Sequence, residues 1–297
     1  MIRDKSISII GPGKVGTALA TLAARAGLKI VAMGGRNRTR TEQAAANVGA
    51  NVQALEPVQA ARLGEVVLLT VNDDSIRTLC DELSRAGAFQ AGAIVAHCSG
   101  TLTSNELTSA RQARCYVASM HPLQTFPSAE SACEKIANTY FFIEGDEPAA
   151  KVLEEFSSQI GGKSLRIEPN AKTLYHAAAV MACNYLTALI DAALATGELA
   201  GIDRNSLTKA IEGLVRSTVD NVFSAGTVKA LTGPVVRGDV RTVEKHLLAI
   251  ESEQGAVELG RIYRVLGSQA LEIAQRRKSL TPKQVELMRK LLRAGVE

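Results

Sequence analysis

Near the N-terminus the chain reads Gly11-Pro12-Gly13-Lys14-Val15-Gly16, a Gly-x-Gly-x-x-Gly spacing. A short β-rich run, residues 6–10, leads into it, and a helical pattern, residues 15–26, leads out of it to Gly27. Between a strand and a helix this spacing has a physical use. Gly11 permits a tight turn, Gly13 lets a phosphate approach the backbone, and Gly16 lets the helix pack close to the sheet. The free N–H groups of Lys14 and Val15 and the positive end of the helix then meet a pyrophosphate. The residues from Gly11 to Gly16, Pro12 included, are therefore expected to bind a dinucleotide.

The end of the second β-rich run, residues 29–33, tests which dinucleotide. An NAD site presents Asp or Glu there for the ribose hydroxyls. This chain presents Gly34-Gly35-Arg36-Asn37-Arg38-Thr39-Arg40, which has no acid. Arg36, Asn37 and Arg38 suit a 2′-phosphate through charge-assisted bonds, so NADP is expected. The missing acid also argues against an S-adenosylmethionine site.

Further along, strand ends collect polar residues. The run EVVLLTV ends in Val71-Asn72-Asp73, which with Ser99 is expected to flank the nicotinamide end. Asp74 or Ser75 is expected to cap the next helix. His97 lies inside an apolar strand and reads as a core histidine, whereas His121, before Pro122 at a strand end, reads equally as structural or functional. Lys172, His176, Val180 and Asn184 follow one another at i, i+4 steps, forming a stripe on one helix face. Polar groups in so apolar a helix need partners. His176 is the first candidate for proton transfer, with His121 and Lys172 as rivals, and Asn184 and Ser99 are candidates to orient substrate or carboxamide. Arg237, in Arg237-Gly238-Asp239, reads as a loop arginine suited to clamping an anionic substrate, and Asp239 as a helix N-cap.

These residues need a frame, and the chain supplies two textures. Up to residue 168, short apolar β runs alternate with helical runs, the pattern of a doubly wound parallel sheet covered on both faces. From residue 169 only helices are read, including 171–199, 204–224, 240–251, 256–276 and 282–293, the last opened by Thr281 as N-cap and Pro282 as first helical residue. The expected organisation is an α/β Rossmann domain over 1–168 and an all-helical domain over 169–297.

Composition narrows the function class. Of 297 residues, 46% are hydrophobic and 22% charged, which excludes an intrinsically disordered chain. Aromatics are 4% with no Trp, a poor basis for a base-stacking surface. The net charge of +4 lies wholly beyond residue 168 and reads as solvated helix faces, so no nucleic-acid partner is expected. Five cysteines form no CxxC pair, so neither a disulfide framework nor a metal site is expected, and the compartment reads as reducing and cytoplasmic. The opening MIRDKSISIIG does not read as an export signal. The apolar stretch 177–183, bounded by His176 and Asn184, reads as too short to span a membrane.

Over nearly its whole length the sequence resembles Rossmann-like oxidoreductases with a helical C-terminal domain of unknown function. These are similar to ketopantoate reductase, pyrroline-5-carboxylate reductase and the β-hydroxyacid dehydrogenases. The resemblance rests on GPGKVG at 11–16, HCSGTLTSNEL at 97–107 and SMHPLQTF at 119–126, then YHAAAVMACNYL at 175–186 and TGPVVRGDVRTVEKHL at 232–247. It implies a C-terminal domain of the 6-phosphogluconate-dehydrogenase-like type, a nicotinamide-dependent reductase site between the domains, and a homodimer built by the helical domain. The β-hydroxyacid dehydrogenases carry a catalytic Lys and an Asn one turn apart on the linking helix. Here His176 stands one turn after Lys172, and Asn184 comes two turns later, so that pair does not transfer intact. The function expected is hydride transfer between NADP(H) and a small polar substrate, an oxo or hydroxy acid or an imine. The alternative is a non-catalytic NADP-binding sensor.

Overall fold

Strand residues buried on both faces set the architecture. In the computed structural model, which describes residues 1–126, 136 and 139–293, β1 (Ile7–Ile10) and β4 (Val66–Leu69) are buried at every position. Ile7, Ile9, Val66 and Leu68 enter one apolar cluster. Ile10, Val67 and Leu69 enter another. Such two-sided burial belongs to a sheet sandwiched between helices, and each fully buried aliphatic side chain contributes roughly 1.5–3 kcal/mol. Cys133, one of the five cysteines, lies outside the described residues.

The first unit alternates as the sequence pattern requires. After β1 come α1 (Lys14–Arg25), β2 (Ile30–Gly34), α2 (Arg38–Val48), β3 (Gln53–Leu55) and α3 (Pro57–Leu63). Then follow β4, α4 (Asp73–Arg85), β5 (Ile94–His97), α5 (Thr108–Gln112) and β6 (Tyr116–Pro122). The unit is completed by β7 (Tyr140–Gly145), α6 (Glu147–Gln159) and β8 (Lys163–Arg166). The sheet order is β3-β2-β1-β4-β5-β6-β7-β8. The chain therefore reverses direction across the sheet between β1 and β4, the doubly wound switch point whose strand carboxyl ends receive ligands. Two strands depart from the parallel expectation: β7 runs antiparallel to β6, pairing Ser119 with Glu144 and His121 with Phe142, and β8 runs parallel to β7 and so also against the first six. An apolar run reads alike in either direction, so its pattern carried no orientation. The short pair β3 and α3 was not expected either.

The chain divides into two compact units, Met1–Met181 and Ala182–Glu297. This division falls inside α7 (Lys172–Leu199) rather than at residue 168, because the first turn of α7 is anchored on the sheet through Lys172, which is 1% exposed. The second unit continues with α8 (Arg204–Ala225), α9 (Thr227–Ala230), α10 (Pro234–Arg237), α11 (Val240–Glu251), α12 (Val257–Arg276) and α13 (Pro282–Arg293). Val235, Val243, Leu247, Leu271, Met288 and Leu292 make its core. Asp239 caps α11 by accepting from Thr242 N at 3.1 Å. Thr281 and Gln284 exchange bonds at the start of α13, a capping box. The helical stretch Pro169–Leu199 is long and apolar enough, by length and composition, to cross a membrane. The apolar segment is thus longer than residues 177–183, since His176 and Asn184 are isolated polar residues in a continuous helix.

Candidate active site

The phosphate-type loop has one open glycine between two closed ones. Gly11 has φ +115° and an added Cβ would stand 2.7 Å from Thr70 C, so only glycine fits. At Gly16 a Cβ would collide with Gly11 O and Thr70 Oγ1. At Gly13 nothing comes nearer than 4.0 Å. Gly13 is also the N-cap of α1, whose first turn has no side-chain cap and no acid. The chain's own atoms close Gly11 and Gly16, while Gly13 leaves room beside unclaimed helix N–H groups. That is the donor set a pyrophosphate needs. Lys14 is exposed and Val15 half-buried at the same turn.

The arginines beyond β2 divide their work. Arg40 donates from Nε to the Pro12 carbonyl at 3.1 Å, placing its guanidinium against the glycine loop. Arg36 is exposed. Arg38 pairs with Glu42 at 2.8 Å. Asn37 caps α2, accepting from Arg40 N at 2.9 Å. The residues present fit a dinucleotide bearing an extra phosphate: Arg36 and Arg40 are cationic, and residues 34–40 contain no carboxylate.

Two further strand ends are tied together. Ser99 donates to Asp73 Oδ2 at 2.7 Å, and its hydroxyl accepts from Thr101 N and Leu102 N. This lock fixes the turn after β5 against the first turn of α4. Asn72, rather than Asp74 or Ser75, occupies the N-cap of α4, without a side-chain bond. Val71 packs beside Gly11, its Cγ1 lying 3.0 Å from where a Cβ would be. His97 is a core histidine: Nδ1 accepts from Ser99 N and Nε2 donates to Thr103 O. Burial lowers its pKa.

The third cluster joins β5, β6, β7 and α7. Lys172 Nζ donates to Ser99 O at 3.0 Å and to Ser119 Oγ at 2.5 Å. Ser119 donates to Glu144, which is 3% exposed and also receives Ser104 N and Oγ. A buried ammonium is thereby linked through a hydroxyl to a buried carboxylate. Burial drags the Lys172 amine down to about 8, against the pull of Glu144, Cys98 and Asp73. Burial pushes the Cys98 thiol up to about 12. His121 Nδ1 lies 2.8 Å from the Tyr175 hydroxyl, and the His121 and His176 rings cross edge to face at 5.7 Å. Burial, then the charges of His176 and Lys172, pushes His121 down to about 4, with Asp73 opposing.

Lys172, His176, His121, Asp73 and Ser99 therefore share one region at the carboxyl ends of β5 and β6. Asn184 is exposed one turn beyond Val180 and belongs to the second unit. Arg237 also belongs there, and ends the helical turn α10 rather than standing in a loop, with left-handed Gly238 after it at φ 68°. Tyr175, Glu144, Ser119 and Gly100 escaped the sequence reading. Tyr175 adjoins His176 but lies off the i, i+4 stripe, and Glu144 acquires its partners only through the β6–β7 register.

A doubly wound sheet with this glycine loop, followed by helices, defines the class as Rossmann-like with a helical C-terminal domain. Residues 2–122 match the family described as Rossmann-like domain, and residues 139–270 match "Domain of unknown function (DUF2520)". Together the two matches span most of the chain. Among solved structures, a protein from Thermotoga maritima is 26% identical, with TM-score 0.72, covering 92% of this chain and 99% of that one. A candidate NADP oxidoreductase from Bacteroides fragilis is 21% identical, with TM-score 0.71, covering 92% and 100%. A pyrroline carboxylate reductase from Plasmodium falciparum, with NADP bound, is 13% identical, with TM-score 0.60, covering 94% and 98%. The last two likenesses are of fold. A search of curated proteins finds no match.

Proposed function

We propose that the chain is an NADP(H)-dependent oxidoreductase acting on a small polar oxo or hydroxy acid or imine. The observation that carries the reading is the glycine loop, where Gly13 alone is open and stands at an uncapped helix N-terminus. The N–H groups of Lys14, Val15 and Gly16 hold the pyrophosphate, and Arg36 and Arg40 hold the additional phosphate. The Asp73–Ser99 lock, with Val71 and Asn72, shapes the nicotinamide end. NADPH, when bound, supplies the hydride. His176 delivers or removes the proton, and Lys172 fixes the Ser99 carbonyl and so the turn beside it. The candidate NADP oxidoreductase and the pyrroline carboxylate reductase of like fold support the class.

The reading extends to a homodimer in the cytoplasm. Tyr185, Leu189, Leu214 and Phe223 stand exposed on α7 and α8, and Phe223 is 86% exposed. Apolar surface of this kind is a candidate interface between copies. Free Cys80, Cys98, Cys115 and Cys183 suit a reducing compartment. Light scattering of the purified protein should give twice the chain mass, and a monomer at micromolar concentration refutes the dimer.

Calorimetric titration with NADPH and NADH, then turnover assays with 2-oxo acids and cyclic imines, test the function. Tight NADPH binding with consumption by at least one substrate is expected. Binding without consumption by any substrate favours the sensor, and absence of binding refutes both. His176→Ala is expected to lower kcat by about 10²–10⁴-fold.

A further inference from the structure

Position 100 has no side chain, and two imidazoles use the room. A Cβ at Gly100 would collide with Nδ1 of His176 and stand 3.0 Å from Nε2 of His121. Nδ1 of His176 is buried and has no hydrogen-bond partner among the described residues. The other nitrogen of His121 faces the Tyr175 hydroxyl at 2.8 Å. Tyr175 in turn stacks on Phe142, ring centres 4.0 Å apart. Tyr175 Oη, the His121 ring and Nδ1 of His176 therefore stand in series, the last two meeting over Gly100.

A neutral imidazole has one donor nitrogen and one acceptor, while a tyrosine hydroxyl both donates and accepts. The series is self-consistent in two states only. In the first, Tyr175 donates to His121 Nδ1, the His121 proton sits on Nε2 facing a bare Nδ1 of His176, and His176 carries its proton on Nε2. In the second, His176 carries its proton on Nδ1, facing a bare Nε2 of His121, whose Nδ1–H donates to Tyr175. No hydrogen bond joins the two rings in this structure. With no side chain at Gly100, nothing at that position stands between the two nitrogens.

We propose that Tyr175 and His121 form a proton relay that feeds Nδ1 of His176, so that His176 exchanges its proton with substrate at Nε2. This rests on the reading of His176 as the proton-transferring group. Tyr175 passes its proton to His121 Nδ1 and takes one from water. His121 passes its Nε2 proton to His176 Nδ1. His176, now an imidazolium, releases its Nε2 proton to the substrate. One proton enters and one leaves, and the three side chains hold the same number before and after. The groups facing His121 are Tyr175, His176, Lys172 and Asp73. Burial above all lowers the His121 pKa and so favours its neutral form, and burial raises that of the Tyr175 hydroxyl and keeps it protonated. Both conditions suit groups that pass protons without storing charge. Tyr175 and His121 are thus positioning residues, and His176 alone meets substrate.

The test is nitrogen NMR of the 15N-histidine protein without cofactor or substrate, titrating each of the four imidazoles. In the relay, His121 and Tyr175 accept in series from the His176 imidazolium and so favour it. Tyr175→Phe is expected to lower the His176 midpoint by about one pH unit, tenfold in the proton equilibrium, and to change the His121 tautomer. His121→Asn is expected to lower the same midpoint. Tyr175→Phe keeps the ring against Phe142, so it carries the test alone if the His121 variant fails to fold. The pH profile of turnover should move with the midpoint. A His176 midpoint and His121 tautomer unmoved by Tyr175→Phe overturn the relay. An inactive protein with coupled rings overturns the reductase reading and leaves the coupling of Tyr175, His121 and His176 standing, so the two failures are distinguishable.

Discussion

Lys172 offers a sharp energetic test, because the residue is 1% exposed and burial has moved its pKa from 10.5 to about 8. In the unfolded chain the amine regains its ordinary value. Below about pH 8 both states hold the proton, and the penalty of the buried charge is fully present. Between about 8 and 10.5 the unfolded chain keeps a proton that the folded chain has released, so stability rises with pH in that window. At about 1.4 kcal/mol per unit the full gain is on the order of 3 kcal/mol. The neutral amine still has hydrogens to donate to Ser99 O, so deprotonation relieves the charge without orphaning that carbonyl. Buried thiols act in the opposite sense. Cys98, raised from 9.0 to about 12, and Cys115, raised to about 11, stay protonated while the unfolded thiols ionise, which lowers stability above about pH 9. The comparison must therefore be a difference between wild type and Lys172→Met, in which the Cys115 effect cancels and Cys98, coupled to Lys172, stays protonated in both folded proteins up to about pH 10. With no tryptophan in the chain, urea unfolding is followed by far-ultraviolet circular dichroism. Wild type should gain roughly 2–3 kcal/mol on Lys172→Met between about pH 7 and 10. A difference that stays flat across that range would show that Lys172 keeps an ordinary proton affinity, and the argument for its dehydration would fail.

The remaining expectations concern the loop and the hollow over Gly100. Gly13→Ala should leave the melting temperature unchanged, since its Cβ meets nothing nearer than 4.0 Å, yet weaken NADPH binding about tenfold or more by calorimetry. Gly11→Ala should destabilise by about 1–3 kcal/mol in thermal melts, because φ is +115° and the Cβ strikes Thr70. Arg36→Ala with Arg40→Ala should raise the NADPH Kd about tenfold or more and spare that of NADH; equal losses for both would remove the extra-phosphate role. Gly100→Ala should lower kcat by forcing His176 away from His121 while leaving NADPH affinity unchanged, and a full-rate variant would show the hollow is not used.

What could be read in the sequence, and what could not, divides along one physical line. The glycine loop, the apolar strands and the caps at Asp239 and Thr281 are local. Each is specified by neighbours within about one turn or one strand, so residue type and spacing suffice. The fold class was legible for the same reason, since β1, apolar but for Ser8, and β4, apolar throughout, suit only a covered sheet. The site is non-local. His121 was open to either role because only the fold brings Tyr175 to it from a segment far along the chain. Glu144 was silent because its worth depends on an antiparallel register that sets it opposite Ser119. Lys172 was legible as a polar residue on an apolar helix, and its partners were not, since Ser99 and Ser119 come from different strand ends. A helical stripe sorts residues by 100° steps and puts Tyr175 outside the set that holds His176. Yet residues on adjacent faces of one helix can reach the same third group when a strand end projects between them. His121 does so here, which is why the polar network is wider than the i, i+4 rule that located it.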